Sequence, residues 1–210
     1  MSQRATAREK KRAKKWYVVT APPAFGGVVI GTTPSDDPQK LLGRVIEVSL
    51  YDITGDYTRI HVKLKFQVIS VEGDEARTMF KSHELARDYI KVLTRRKSSK
   101  IQGILDVRTK EGYALRVTAL AFTSFRCKTS QKRAIRAIMR QLIERRASEQ
   151  TLDEFVQSML FDKLATEIFE QAKKIYPLRR VEIYKSKLLE VPTPEGPRKA
   201  VVTPYSTAIK

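Results

Sequence analysis

The chain has 210 residues, with 41 Lys and Arg against 23 Asp and Glu, a formal net charge of +18. Like charges at that density oppose a compact state unless a polyanion neutralises them, so nucleic acid is the first partner class and an anionic membrane the second. A single cysteine excludes an internal disulfide and a cysteine zinc cluster, and 41% hydrophobic content excludes a wholly disordered basic protein.

Residues 1–15 hold seven Lys and Arg, one acid and no apolar period, the composition of a flexible basic arm. That stretch lacks the apolar core of a signal peptide, and no run of about 18 apolar residues follows that could cross a bilayer. The expectation is a soluble, intracellular protein. Order begins at "WYVVT", Trp16–Thr20, and "GGVVIGTT" after Pro22 and Pro23 reads as a second short strand, followed by the turn "PSDDPQK".

The segment "GRVIEVSLYDI" reads as a strand, and Gly55-Asp56 as the turn after it. Ile60, Val62, Leu64, Phe66 and Val68 then alternate with Arg59, His61, Lys63, Lys65 and Gln67, a period of two that predicts a strand with one buried face. "EARTMF" reads as its partner after Gly73-Asp74. "SHELARDYIKVL" reads as a helix with Leu85, Tyr89, Ile90 and Leu93 on one side, and "TRRKSSK" as a charged linker.

"IQGILDVRTKEGYALRVTALAFTSFR" reads as a hairpin turning near Lys110-Glu111-Gly112, where glycine supplies a positive φ. Three helices follow. The first is "CKTSQKRAIRAIMRQLIERR", Cys127–Arg146; the second starts at Thr151, with Glu154 at the capping-box spacing; the third starts at Asp162 and ends before Pro177. "RRVEIYKSKLLEV" returns to a strand pattern, and four prolines from Pro192 onward predict an extended tail.

The expected class is α+β: a mainly antiparallel sheet or partial barrel with packed helices. A basic arm occupies 1–15, a single body 16–191 (β-rich over 16–126, helical over 128–176, a last strand over 179–191), and the tail 192–210.

The chemistry of turnover has little to work with. His61 and His83 are the only histidines, and neither stands with a nucleophile or metal-ligand partner at a recognisable spacing. His61 sits between Arg59 and Lys63 in the polar register, where cations oppose an imidazolium. Asp36-Asp37 and Asp153-Glu154 fit turn and capping roles. There is no GxxxxGK[ST], GxGxxG or HExxH motif, and Cys127, although flanked by Arg126 and Lys128, reads as an ordinary free thiol. No enzyme activity, metal or cofactor is expected.

The positive features are faces. At 100° per residue from Ile135, the side chains of Ile138, Met139, Leu142 and Ile143 fall on one arc, with Arg133, Arg136 and Arg140 on the opposite flank. Arginine suits phosphate because its planar fork bridges two oxygens. A single basic helix reads first as a solvated face, but the same sign recurs at residues 4–15, at 95–100 and along Arg59, Lys63 and Lys65, which favours phosphate contact. A membrane-surface helix calls for Trp or Phe on its apolar side; this one carries Ile, Leu and Met, and the sole tryptophan, Trp16, lies elsewhere. No RNP-type or GXXG motif is present, so phosphate and shape recognition are expected over base-by-base readout. The expected RNA-binding residues are Arg4, Arg8, Lys10, Lys11, Arg12, Lys14, Lys15, Lys63, Lys65, Arg95, Arg96, Lys97, Lys128, Lys132, Arg133, Arg136 and Arg140.

Five motifs in order, "KKWYVVTAPPAF", "GRVIEVSL", "DVRTKEGYALRV" followed by "AFT", "KTSQKRAIRAI" and "IYPLRRVEIYKSKLL", resemble the archaeal and eukaryotic small-ribosomal-subunit protein family called S-three-A-e, or e-S-one. The resemblance runs from about Lys14 to about Leu189, and the lack of a long C-terminal extension makes it archaeal in type. It implies a β-rich body with helices, a structural role in the ribosome on the platform near the mRNA exit, and contacts to small-subunit rRNA and neighbouring ribosomal proteins, with mRNA near the exit as a further candidate partner. It implies no catalytic residues, and it places Lys128, Lys132, Arg133 and Arg136 in a basic element. The alternative is a free RNA-binding regulator or RNA chaperone.

Overall fold

Alternating apolar residues build a sheet here, and the helices cover what the sheet leaves open. The computed structural model describes residues 14–193 and 196–200, and among these are nine strands and five helices. The strands are β1 (Lys15–Thr20), β2 (Val29–Ser35), β3 (Val45–Ser49), β4 (Val62–Glu72), β5 (Glu75–Leu85), β6 (Lys100–Arg108), β7 (Ala114–Thr123), β8 (Leu178–Thr193) and β9 (Gly196–Lys199). The helices are α1 (Leu50–Thr54), α2 (Arg87–Leu93), α3 (Thr129–Glu149), α4 (Leu152–Leu160) and α5 (Lys163–Lys173). The order β2-β1-β5-β8-β7-β6 forms the main path; β4 also pairs with β5 and carries β3, and β9 pairs with β8. Only β1 against β5 is parallel, so the expected α+β class with a mainly antiparallel sheet is the one observed, and the sheet is not closed.

In β4 the period-two reading is realised from Val62 onward: Val62, Leu64, Phe66 and Val68 are buried while Lys63 is exposed, but Ile60, expected on the same buried face, lies before the strand and is exposed. Gln67 is buried as well, because its amide donates to the Gly43 carbonyl at 2.9 Å and its oxygen accepts from Lys81 Nζ at 3.1 Å. The β6–β7 hairpin turns where expected, with Gly112 at φ +89°. Thr151 and Glu154 close the expected capping box at the start of α4, Glu154 Oε2 accepting the Thr151 N–H at 3.1 Å.

Four expectations need correction. The strand from Gly43 stops at Ser49, whose Oγ accepts the Tyr51 N–H at 3.2 Å while Asp52 accepts the Ser49 N–H at 3.1 Å; this capping box starts α1, which Gly55 ends at φ +73°. Ser82–Leu85 is strand rather than helix, because β5 pairs there with both β4 and β8, and the helix begins only at Arg87. Lys15, placed in the arm, is already the first residue of β1. The chain after Pro192 does not leave the body at once: β8 runs to Thr193, β9 folds back with Pro197 opposite Pro192, and Ala200 is buried, its N–H donating to the Leu189 carbonyl at 2.7 Å. Proline is compatible with such an edge strand, where its missing donor is not needed.

The core lies between the sheet and the helices α3, α4 and α5. In α3, Ile135, Met139, Leu142, Ile143 and Ala147 are buried, as the periodicity requires, and the helix packs on β6 and α5. Each large apolar residue of that stripe contributes roughly 1.5–3 kcal/mol of burial. The close approach depends on Gly103 of β6: a Cβ there would stand 3.3 Å from Met139 Sδ. Gly103→Val is expected to destabilise the protein by about 1–3 kcal/mol through overpacking, with Gly103→Ala milder because the methionine end can shift, as read by urea denaturation.

Candidate nucleic-acid interface

The densest polar cluster is not on the basic surface. Arg59, His61, His83, Asp162, Arg180 and Glu182 line a cavity of about 90 Å³, room for a few waters rather than a sizeable ligand. Glu182 is buried, accepting from Tyr89 Oη at 2.9 Å and Arg180 Nε at 2.5 Å; Arg59 donates to the Leu160 carbonyl, stands 3.5 Å from Asp162 and lies over the Phe161 ring. His61 stacks on Tyr89 with centroids 3.8 Å apart, and burial pushes its pKa down, the nearby Arg180 and Arg59 adding to the shift. Tyr89 is pushed up to about 12, by burial and then by Glu182. Each acid in the cluster meets a base or a phenol, so the group ties the α4–α5 junction to β4 and β8 and offers no free nucleophile.

His83 is wholly buried in the same cluster. Its Nε2 lies 3.0 Å from the Ile183 carbonyl, an acceptor, so Nε2 carries the proton and Nδ1 accepts from Ser186 Oγ at 2.5 Å. Both nitrogens are satisfied in the neutral ring, and burial pushes its pKa down to about 4. Among the described residues no group of acids, histidines and cysteine is arranged to hold a metal.

The cations sort by whether a carboxylate answers them. Lys63 and Lys65 both reach Glu47, at 3.0 and 3.3 Å, in a groove also lined by Glu84 and Asp88. Arg116 pairs with Asp106 through two parallel bonds of 2.7 and 2.8 Å, and Arg146 with Glu167 at 2.8 Å. By contrast, Arg133, Arg136 and Arg140 on the outer face of α3, with Lys128 just before the helix and half-buried Lys132 in its first turn, have no carboxylate within ion-pair distance among the described residues. The same holds for Arg95, Arg96 and Lys97 in the loop before β6.

These two groups meet through one buried serine. The Ser99 N–H donates to Thr123 Oγ1 at 2.9 Å, its carbonyl accepts the Thr123 N–H at 3.0 Å, and its Oγ accepts the Cys127 N–H at 3.3 Å. The loop of Arg95, Arg96 and Lys97 is thereby fastened beside the start of α3. Lys97 holds a left-handed backbone at φ +62°, part of a turn in which Ser98 Oγ donates to the Arg95 carbonyl at 2.6 Å. Arg136 is also structural: its Nε donates at 3.0 Å to the Gln102 carbonyl on the open edge of β6.

Of the expected RNA-binding residues, Lys128, Lys132, Arg133, Arg136, Arg140, Arg95, Arg96 and Lys97 thus come together on one surface, and Lys63 and Lys65 lie in the mixed-charge groove. Lys14 and Lys15 are exposed at the start of β1; Arg4, Arg8, Lys10, Lys11 and Arg12 lie outside the described residues. Arg126, exposed beside Ser99 and its partners, stands on the same surface although it is not among the expected residues, and so does Lys100, which closes the expected basic stretch 95–100. The available signal was their place at the ends of the two segments, but only the tertiary link through Ser99 makes those ends neighbours.

The model of the Ribosomal S3Ae family matches residues 2–192. The small ribosomal subunit protein eS1 of Desulfurococcus amylolyticus is 62% identical over 95% of this chain and 93% of its own length. Its counterparts from Staphylothermus marinus and Ignicoccus hospitalis are 63% and 53% identical, covering 93% and 98% of this chain and 92% and 98% of their own.

A histidine with a depressed folded pKa adds stability above pH 6.5 that is lost as the pH falls toward 4, because the unfolded chain takes up the proton first. Acidification across that window is expected to remove about 3 kcal/mol through His83; denaturant titrations at several pH values should show this part of the slope missing in His83→Gln. On the surface, Arg136→Ala is expected to cost about 1 kcal/mol for the lost edge hydrogen bond, and Arg133→Ala nothing measurable, in the same titrations.

Proposed function

We infer the function from one premise: the chain belongs to the Ribosomal S3Ae family. It is a structural constituent of the cytoplasmic small ribosomal subunit, of the archaeal type, and its family is structural rather than enzymatic. Its work is to bind rRNA, with the uncompensated surface of α3 and the loop 95–100 as the docking face. Platform placement near the mRNA exit follows from the family resemblance, and so does contact with neighbouring ribosomal proteins, with mRNA within reach of that position.

The observation that carries the reading is the separation of charge. Many basic residues elsewhere on the described surface, Lys63, Lys65, Arg116 and Arg146 among them, have an acid beside them, whereas Arg133, Arg136 and Arg140 on α3 and Arg95, Arg96 and Lys97 in the loop before β6 all stand without one. Exposed ion pairs contribute little to stability, and an unanswered cluster of cations destabilises by self-repulsion. Phosphate relieves that repulsion and releases counterions. Arg133 and Arg140 serve the docking itself, Arg95, Arg96 and Lys97 extend it across the loop, and Arg136 divides its donors between the β6 edge and the partner.

Binding of the full chain to a small-subunit rRNA fragment should weaken steeply with salt. Each cation removed from the face should lower the slope of log K against log salt by roughly 0.7–0.9. Arg133→Glu with Arg140→Glu should flatten it accordingly and reduce co-sedimentation with small subunits in a high-salt gradient, whereas neutralising Glu47, Lys63 and Lys65 together should leave both unchanged. A free regulator or chaperone would instead wash off the wild-type subunit at high salt.

A further inference from the structure

The turn between β7 and α3 is held from four directions. The Ser124 N–H donates to the Pro177 carbonyl at 3.1 Å, Thr123 Oγ1 to the Phe125 carbonyl at 2.5 Å, Tyr176 Oη to the Arg126 carbonyl at 3.0 Å, and the Cys127 N–H to Ser99 Oγ at 3.3 Å. Cys127 is buried beneath the turn, yet Phe125, two residues before it, is 66% exposed. A phenylalanine left in water forgoes roughly 1.5–3 kcal/mol of burial, and a turn so firmly tied keeps it from tucking the ring away.

Its surroundings say what the ring is for. Arg126 and Lys128 follow it in the chain, and Ser99 fastens the loop of Arg95, Arg96 and Lys97 against the same turn. The other exposed aromatics among the described residues are placed differently: Tyr57 already lies against Tyr51, with ring centroids 4.4 Å apart, Phe161 lies under Arg59, which pairs with Asp162, and Trp16 stands on β1. Phe125 is set among cations that no carboxylate neutralises among the described residues, on the surface that α3 and the 95–100 loop share.

We propose that Phe125 is a stacking platform for an unpaired RNA base, with the cations around it holding the phosphates on either side. An aliphatic protein partner would satisfy the ring but leave the cations bare, and a duplex would satisfy the cations but offer the ring no open base face. A nucleotide in a loop or bulge meets both demands within one unit, since every base has a π-face to stack and a phosphate attached. A ring fixed in advance loses little entropy on binding. The proposal rests on the rRNA-binding reading and adds a base contact to what was otherwise phosphate and shape recognition.

The test uses the full chain with a short single-stranded oligoribonucleotide and a blunt duplex of the same sequence. Phe125→Ala and Phe125→Leu are expected to weaken single-strand binding about tenfold, to change duplex binding little, and to keep the wild-type salt slope and melting temperature. Phe125→Trp should retain affinity, and in a Trp16→Phe background its emission should be quenched on binding, since Trp16 is the chain's only natural tryptophan. Unchanged single-strand affinity in the Ala and Leu variants, with the salt slope intact, overturns the stacking role while leaving the basic face standing. Wild-type affinity in the Leu variant alone overturns it in favour of a plain apolar contact. Reduced incorporation into subunits with unchanged RNA affinity overturns it in favour of a protein neighbour. A flat salt dependence in the wild type overturns the rRNA reading beneath it.

Discussion

The packing of α3 on β6 is the contact on which the rest of the account depends. Ile135, Met139, Leu142 and Ile143 are buried on one side of a helix that comes close to the sheet because Gly103 has no side chain at the contact. A helix with a buried stripe has no choice about its other face. Once those four residues point inward, Arg133 and Arg140 must point outward, and Arg136 is left within reach of the β6 edge carbonyl it caps. The core thereby aims the cations, and burial supplies the energy that holds them in place against their own repulsion.

What marks that surface is that, among the described residues, its cations stand together with no carboxylate within ion-pair distance of any of them. The strand face of β4 shows the opposite arrangement, with a single glutamate, Glu47, answering two lysines at once. Both faces look alike by residue type, and only geometry separates them. Ser99 matters for the same reason: a small, uncharged, buried residue joins the loop of Arg95–Lys97 to the head of α3 and so makes one face out of two segments nearly thirty residues apart in sequence.

Much of this was legible before the fold was seen. The two faces of α3, the alternation in β4, the β6–β7 turn and the capping box before α4 all follow from patterns within a few residues, where period and turn chemistry are decisive. The failures have non-local causes, with one exception. Ser82–Leu85 carries a helical spacing but is recruited as strand by β4 and β8 on either side. The prolines of the C-terminal segment suit an edge strand as well as a tail, and only pairing with β8 decides. The Glu47 pairs and the Ser99 link span sequence distances that no local window covers. The exception is α1, whose Ser49 and Asp52 stand at a visible capping spacing, outweighed in the reading by the apolar run around them.

Ultraviolet cross-linking of protein to rRNA in assembled small subunits, with the attached residues mapped by mass spectrometry, tests the central claim most directly. The account expects cross-links over residues 95–100 and 125–140. Cross-links confined to β3 and β4 around Glu47, Lys63 and Lys65, with α3 bare, would contradict it.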